Sequence, residues 1–198
     1  MDSLNHSLFL ILNAGAAPSS AVALFAVVAA KALIVLVPLH LMLIWVGGER
    51  AVRFVALSAV IALIIAIAIN GVVGALAYSP RPFVIGLGHT LIDHRPNSSF
   101  PSNHATVFFT YAASLAVYGR RTLAAWFIGI GLVVAWSRIY LGIHYPGDML
   151  GAAVVSAGAA VLSASVMMRA GPALLARAEL IYDRATSRLR RASPSRSS

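Results

Sequence analysis

Residues 53–78 read RFVALSAVIALIIAIAINGVVGALAY, an apolar run whose single charge, Arg53, stands at its first position. A helix needs about 20 apolar residues to cross a bilayer, with a range near 17–25. This run is long enough, and four more apolar stretches flank it at 21–47, 104–118, 122–141 and 147–168. The sequence therefore predicts an all-α, polytopic transmembrane helix bundle of about five spans, forming one domain over residues 1–169. The run at 104–118 is short, which predicts that its polar end lies below headgroup level. Lys31, Pro38 and His40 interrupt the first run and can divide it.

Composition points the same way. The 198 residues are 60% hydrophobic and 11% charged, with a mean hydropathy of +0.85, whereas a soluble domain carries about 25% charged residues. A net charge of +9 raises nucleic acid as a partner, but seven of the fifteen basic residues lie between Arg169 and Arg196. No aromatic platform is interleaved with them, so no nucleic-acid partner is expected. The absence of cysteine excludes disulfides and Cys-based metal sites. The N-terminus lacks the basic region of a secretory signal, so the first span is expected to be retained. Ahead of that span, Leu4, Leu8, Phe9 and Leu12 recur at helical spacing in a segment ended by Gly15 and Pro18. It is too short to span, and two readings stand: a short interfacial helix or a packed N-terminal turn.

Charge orients the bundle. Arg50 and Arg53, Arg120 and Arg121, and the C-terminal tail fall on one membrane face, while the other carries only Arg81, Arg95 and Arg138. Cytoplasmic loops are the basic ones, which predicts a cytoplasmic tail and an N-terminus outside. The tail, residues 170–198, is basic; Leu174, Leu175, Leu180 and Ile181 can extend a helix along the surface. Disorder is expected beyond about Ser187, with contact to anionic lipids as a second reading.

Three polar clusters fall on the less basic face. They are Tyr78–Pro82, Phe100–His104, and Ser137-Arg138 with His144–Asp148. Their chemistry suits phosphate. Arg81 and Arg138 offer planar, permanently charged forks that match phosphate oxygens. Ser102 stands where an N-cap belongs, so the free backbone N–H groups of Asn103 and His104 make an anion site. His144 precedes Asp148 by four residues, within reach of a carboxylate that fixes its tautomer and leaves the other ring nitrogen free to attack phosphorus. His104 can protonate the leaving oxygen and then activate water. That scheme predicts a phosphohistidine, a His104 held protonated by the bound phosphate, and acid and base limbs between about pH 5 and 9. Asp93 is the only other acid in the loops of that face, too few for a metal shell; neither metal nor other cofactor is expected.

These residues carry a resemblance. Arg81-Pro82, Pro101-Ser102-Asn103-His104, and Ser137-Arg138 followed by His144 and Asp148 resemble the three signatures of the PAP2 (type 2 phosphatidic acid phosphatase) superfamily. The third matches in full, while Asn103 stands where Gly is commonest. The resemblance implies a PAP2-like fold, metal-independent phosphohistidine chemistry at His144, and supporting roles for His104 and Asp148. The usual first signature has Lys seven positions before its Arg, where this chain has Gly74. That gap, with the stretches from Arg81 to Thr90 and Ser98 to Ser102, resembles the undecaprenyl-diphosphatase, or bacitracin-resistance, branch. The branch implies an isoprenoid lipid diphosphate as substrate and a multi-pass place in the bacterial inner membrane among membrane lipids, the site facing outside.

Lys31 is a candidate for the missing phosphate-binding cation. It lies some ten residues, roughly 15 Å, below the outer end of its span, and Gly74 lies about 10 Å below Arg81. An intramembrane Lys is costly without a purpose; the alternative is a lysine that snorkels from a helix starting later. For His89, Asp93, His94 and Arg95 the default is solvated loop, with headgroup contact or gating as the alternative. Asn70 is read as a helix–helix hydrogen-bonding residue or a partial substitute for the lost Lys. Two other functions share these features: a PAP2 phosphatase for phosphatidic acid, phosphatidylglycerol phosphate or lipid A, and a non-catalytic lipid-phosphate binder or transporter.

Overall fold

A computed structural model describes residues 2–192, and within them every regular element is helical. The helices are α1 (Asp2–Leu12), α2 (Ser20–Ala32), α3 (Leu36–Gly47), α4 (Arg50–Leu76), α5 (Asn103–Val117), α6 (Arg121–Tyr140) and α7 (Pro146–Ala192). A 3₁₀ turn, Leu33–Val35, joins α2 to α3, so residues 20–47 form one interrupted span. Pro38 explains the interruption: it has no N–H for the carbonyl of Ile34, and its ring crowds that oxygen. Four stretches among the described residues are long and apolar enough to cross a membrane: Ser20–Gly47, Arg50–Leu76, Arg121–Tyr140 and Pro146–Ser187.

The fifth expected span, α5, has 15 residues and is about 22 Å long. It can be short because it lies inside the bundle, packed against α4, α6 and α7. Its buried face carries Ala105, Phe108, Tyr111, Ala112 and Leu115. Elsewhere the usual pattern of large side chains inside is reversed. α4 buries Ala56, Ala59, Ala62 and Ala66 while Val60, Ile64 and Ile67 stand exposed. α7 buries Ala152, Ala159 and Ala160 and exposes Leu150, Val154, Val161 and Leu162. Lipid tails solvate Leu as well as a protein core does, so helices in a bilayer approach through small residues. Hydroxyls add polar links: Ser163 donates to the Ser58 carbonyl at 2.7 Å, and Thr110 to Ser156 at 2.9 Å.

The N-terminal segment is helical and packs one side of itself against the bundle. Phe9 is fully buried against Tyr145 and Met149, while Leu4, Leu10 and Ile11 are exposed. At the other end, α7 continues past position 169 without a break, running 47 residues, or about 70 Å. Glu179 pairs there with Arg53 at 3.7 Å and Arg50 at 3.5 Å. The disorder expected beyond Ser187 gives way to helix as far as Ala192, since Ala, Leu and Arg are strong helix formers. Residues 193–198 lie outside the described residues.

Candidate active site

Four helix ends meet at one pole: the end of α4, the start of α5, the end of α6 and the start of α7. The turn between the last two, residues 141–145, is tight. Gly142 has φ +80°, and a Cβ there would stand 2.2 Å from the His89 carbonyl oxygen. Glycine is the residue that tolerates both demands. The turn delivers His144, buried, to the mouth of α7, whose first turn holds Asp148.

The His144 Nδ1–H donates to Asp148 Oδ2 at 2.9 Å. That oxygen also accepts from the Tyr145 backbone N–H at 2.8 Å and from the Ser99 hydroxyl. With the proton on Nδ1, the lone pair of His144 lies on Nε2, where it accepts from Arg81 Nη1 at 3.0 Å. Burial pushes the His144 ring down to about 4, with the Asp148 contact opposing that shift and the two arginines adding to it. The ring is thus neutral at pH 7, the form a nucleophile needs.

Arg81 is held as firmly. Its Nη1 also donates to the Ile143 carbonyl at 2.7 Å, Nη2 to the Ser98 carbonyl at 3.0 Å, and Nε to Asn97 at 3.1 Å. Burial lowers its pKa from the ordinary value, and the charge of Asp148 works against that. Arg138 is 5% exposed, yet its Nε has no partner. Its Nη2 donates to His94 Nε2 at 3.2 Å, and the His94 Nδ1–H donates to the Arg95 carbonyl at 3.0 Å. Burial, above all, lowers the His94 pKa from its usual value, with the charges of Arg81 and Arg138 adding to the shift and the Arg95 carbonyl opposing it.

Ser102 occupies the N-cap position of α5, but its hydroxyl makes no capping bond. That Oγ is fully buried and unpartnered. A helix's first-turn N–H groups have no intrahelical acceptor, so the Ser102 hydroxyl and the first amides of α5 form a ready anion cradle. His104, half-buried in that turn, has Arg138, His144, His94 and Arg81 as its charged or titratable neighbours. Asn103 is exposed and accepts from Asn70 Nδ2 at 2.8 Å. Asn70 also donates to Thr106 at 2.9 Å, which is the helix–helix role read for it.

The structure thus brings Arg81, Ser102, His104, Arg138, His144 and Asp148 together. Gly74 faces the loop instead: a Cβ there would lie 3.3 Å from Ser98 Cβ. Lys31 meets a different part of that loop, lining an open cavity of about 760 Å³ with Phe83, Thr90, Leu91, Ile92, Asp93 and His94. Lys31 therefore does not fill the space over Gly74. The loop 83–100 supplies what the sequence reading missed. Ser99 holds Asp148, Asn97 and Ser98 hold Arg81, and His94 holds Arg138. No periodicity marks loop residues; the serines preceding Ser102 and the alternative reading of His94 as a headgroup or gating residue are the traces the sequence carries. The sequence also gives no sign that the N-terminal helix reaches this turn: Asn5 Oδ1 accepts from Gly147 N–H at 2.8 Å, and His6 stacks on Tyr145 at 5.3 Å.

The chain is similar to known proteins. The chain is 36% identical to the putative undecaprenyl-diphosphatase YbjG of Escherichia coli over 151 residues, 76% of each chain. It is 40% identical to the undecaprenyl-diphosphatase BcrC of Bacillus subtilis over 124 residues, 62% of this chain and 63% of that one. The crystal structure of Aquifex aeolicus LpxE has the same fold, with a TM-score of 0.67 at 23% identity over 82% of this chain and 95% of that one. The family model for the PAP2 superfamily matches residues 55–172, from the body of α4 into α7 and across every cluster at this pole, and the chain belongs to that superfamily.

Proposed function

We propose that this protein is an integral-membrane lipid phosphatase that hydrolyses undecaprenyl diphosphate to undecaprenyl phosphate and inorganic phosphate. The observation that carries the reading is the orientation of His144, with Nδ1–H on Asp148 and the Nε2 lone pair turned to Arg81. In the first step Nε2 attacks the terminal phosphorus, the bond from phosphorus to the bridging oxygen breaks, and His104 gives that oxygen its proton. Arg81 transfers its Nη1 hydrogen bond from Nε2 to a phosphoryl oxygen as the attack begins. Arg138, the Ser102 hydroxyl and the α5 amides, including that of Asn103, receive the remaining equatorial oxygens, where charge collects. In the second step His104 takes a proton from water, which attacks the phosphohistidine and releases phosphate and free His144. Asp148 keeps the ring oriented and balances the positive charge it gains.

The substrate follows from the names of the relatives and from the site's position at the end of apolar helices, where a long-tailed lipid can present its headgroup without leaving the bilayer. We place the site on the outer face of a bacterial inner membrane and the basic tail from residue 170 in the cytoplasm. Arg50, Arg53, Arg120 and Arg121 support this, as they lie at helix ends remote from His144. The test is phosphate release by purified protein in the presence of chelator, from undecaprenyl diphosphate, phosphatidic acid, phosphatidylglycerol phosphate and lipid A. Undecaprenyl diphosphate should turn over fastest, and His144→Ala should abolish release while keeping the fold. Faster turnover of another lipid would reassign the substrate, and no release from any would make the protein a binder or transporter.

A further inference from the structure

We propose that the cavity walled by Lys31 and His94 receives the phosphate that stays on the lipid, so that this pair selects diphosphate over monophosphate headgroups. The inference rests on the reading of the chain as a lipid phosphatase and adds a second subsite to it.

Lys31 is a cation within an otherwise apolar span, and it makes no ion pair among the described residues. Such a group is costly in a bilayer and needs a partner. Its cavity adjoins the nucleophile. Ala26 and Ala30 of α2 pack on Leu141 and Ile143, together with Phe83, Leu91 and Ile92. Those last three also line the cavity. Ile143 immediately precedes His144, and its carbonyl anchors Arg81. One layer of side chains therefore separates Lys31 from the turn that carries the nucleophile.

His94 bridges that layer. His94 lines the cavity, and its Nε2 accepts from Arg138. Arg138 keeps a buried, unpartnered Nε. A diphosphate has two anionic centres joined by one oxygen. With the terminal phosphorus at His144, the second phosphate must lie beside Arg138, towards whichever neighbouring space is polar and open. The Lys31 cavity is such a space.

The chemistry favours a cation there. As the bridging bond breaks, the departing lipid phosphate gains negative charge, so a lysine beside it stabilises the transition state more than the ground state. A lipid monophosphate leaves as an alcohol and puts no anion in that place. Asp93, exposed on the cavity wall, is the one acid there and opposes an entering phosphate.

The experiment compares kcat/KM for a prenyl diphosphate and the prenyl monophosphate of equal chain length. Wild-type turnover is measured first; release from neither substrate overturns the phosphatase reading and this proposal with it. In Lys31→Met the diphosphate-to-monophosphate ratio should fall at least about tenfold, the scale of one lost hydrogen bond to a charged group, and Lys31→Arg should retain most of it. In Asp93→Asn, an exposed change that tests the cavity even where Lys31→Met fails to fold, the ratio should rise. A wild-type protein without diphosphate preference, an equal loss on both substrates in Lys31→Met, or an unchanged ratio in Asp93→Asn would overturn the subsite.

Discussion

Asp148→Asn separates two roles that a carboxylate behind a histidine can play. In many such pairs the amide turns its NH₂ towards the ring and forces the wrong tautomer, costing about 10⁴ in rate. Here the geometry opposes that turn. The oxygen that accepts from His144 also accepts from the Tyr145 N–H at 2.8 Å and from the Ser99 hydroxyl. An NH₂ placed there would face two other donors. The asparagine oxygen should therefore stay in the Oδ2 position, Nδ1 should keep its proton, and only the negative charge is lost. Two unit charges about 4 Å apart interact by about 4 kcal/mol at an effective dielectric near 20, and the attacked ring becomes cationic. A loss of about 10³ in kcat follows, at about 1.4 kcal/mol per decade, with the Nε2 lone pair preserved. Single-turnover trapping of the phosphohistidine measures this directly: it should form slowly but to completion. In Asp148→Asn combined with Ser99→Ala, one donor holding the amide is gone and the tautomer should slip, adding a further loss. Activity of Asp148→Asn within about tenfold of wild type would refute the charge argument. An equal loss with and without Ser99 would refute the argument about orientation.

Three further outcomes follow from the same structure. Because burial holds His144 at about 4, and attack needs the neutral ring, its acid limb in kcat/KM should lie near pH 4 rather than within the interval of about 5 to 9 expected for the two-histidine scheme. A limb at pH 6–7 common to substrates whose phosphates ionise differently would contradict this. The sign for stability is the usual one for a lowered histidine. Between its ordinary 6.5 and about 4 the unfolded chain binds more protons, so the thermal midpoint in detergent should fall as pH is lowered through that window. At Gly151 a Cβ would lie 2.2 Å from the Phe100 ring, so Gly151→Ala must displace the segment that leads into Ser102. Such overpacking costs about 1–3 kcal/mol; a lower thermal midpoint and reduced turnover are expected, both partly restored by adding Phe100→Leu. A midpoint equal to wild type would show that the ring moves freely.

The membrane bundle and most of the site were legible without coordinates because both follow from local properties. Whether residues 53–78 prefer a bilayer depends on their own side chains and on the length of the helix they form. Once the spans are counted, their parity puts Arg81, Ser102, His104, Arg138 and His144 on one face. Four residues of separation suffice to bring Asp148 to His144. The burial of the short α5, by contrast, follows from how its neighbours close around it. The small-inside pattern of α4 and α7 reflects interhelical packing that no single segment encodes.

The contacts that set the chemistry lie between segments distant in the chain. Arg81, whose customary lysine partner is replaced by Gly74, is the group that meets the His144 lone pair, because Asn97, Ser98 and Ile143 lock its guanidinium. His94 was read as solvated loop by default, and it accepts a hydrogen bond from Arg138. Asn5 is 142 positions from the glycine it caps. Composition and spacing determined the membrane class and the residue types of the candidate site, since transfer into lipid and helical reach are additive along a short stretch. Only the tertiary structure decided which arginine holds which nitrogen and where Lys31 opens, because a hydrogen bond requires placement to a few tenths of an ångström, and that placement belongs to the packed whole.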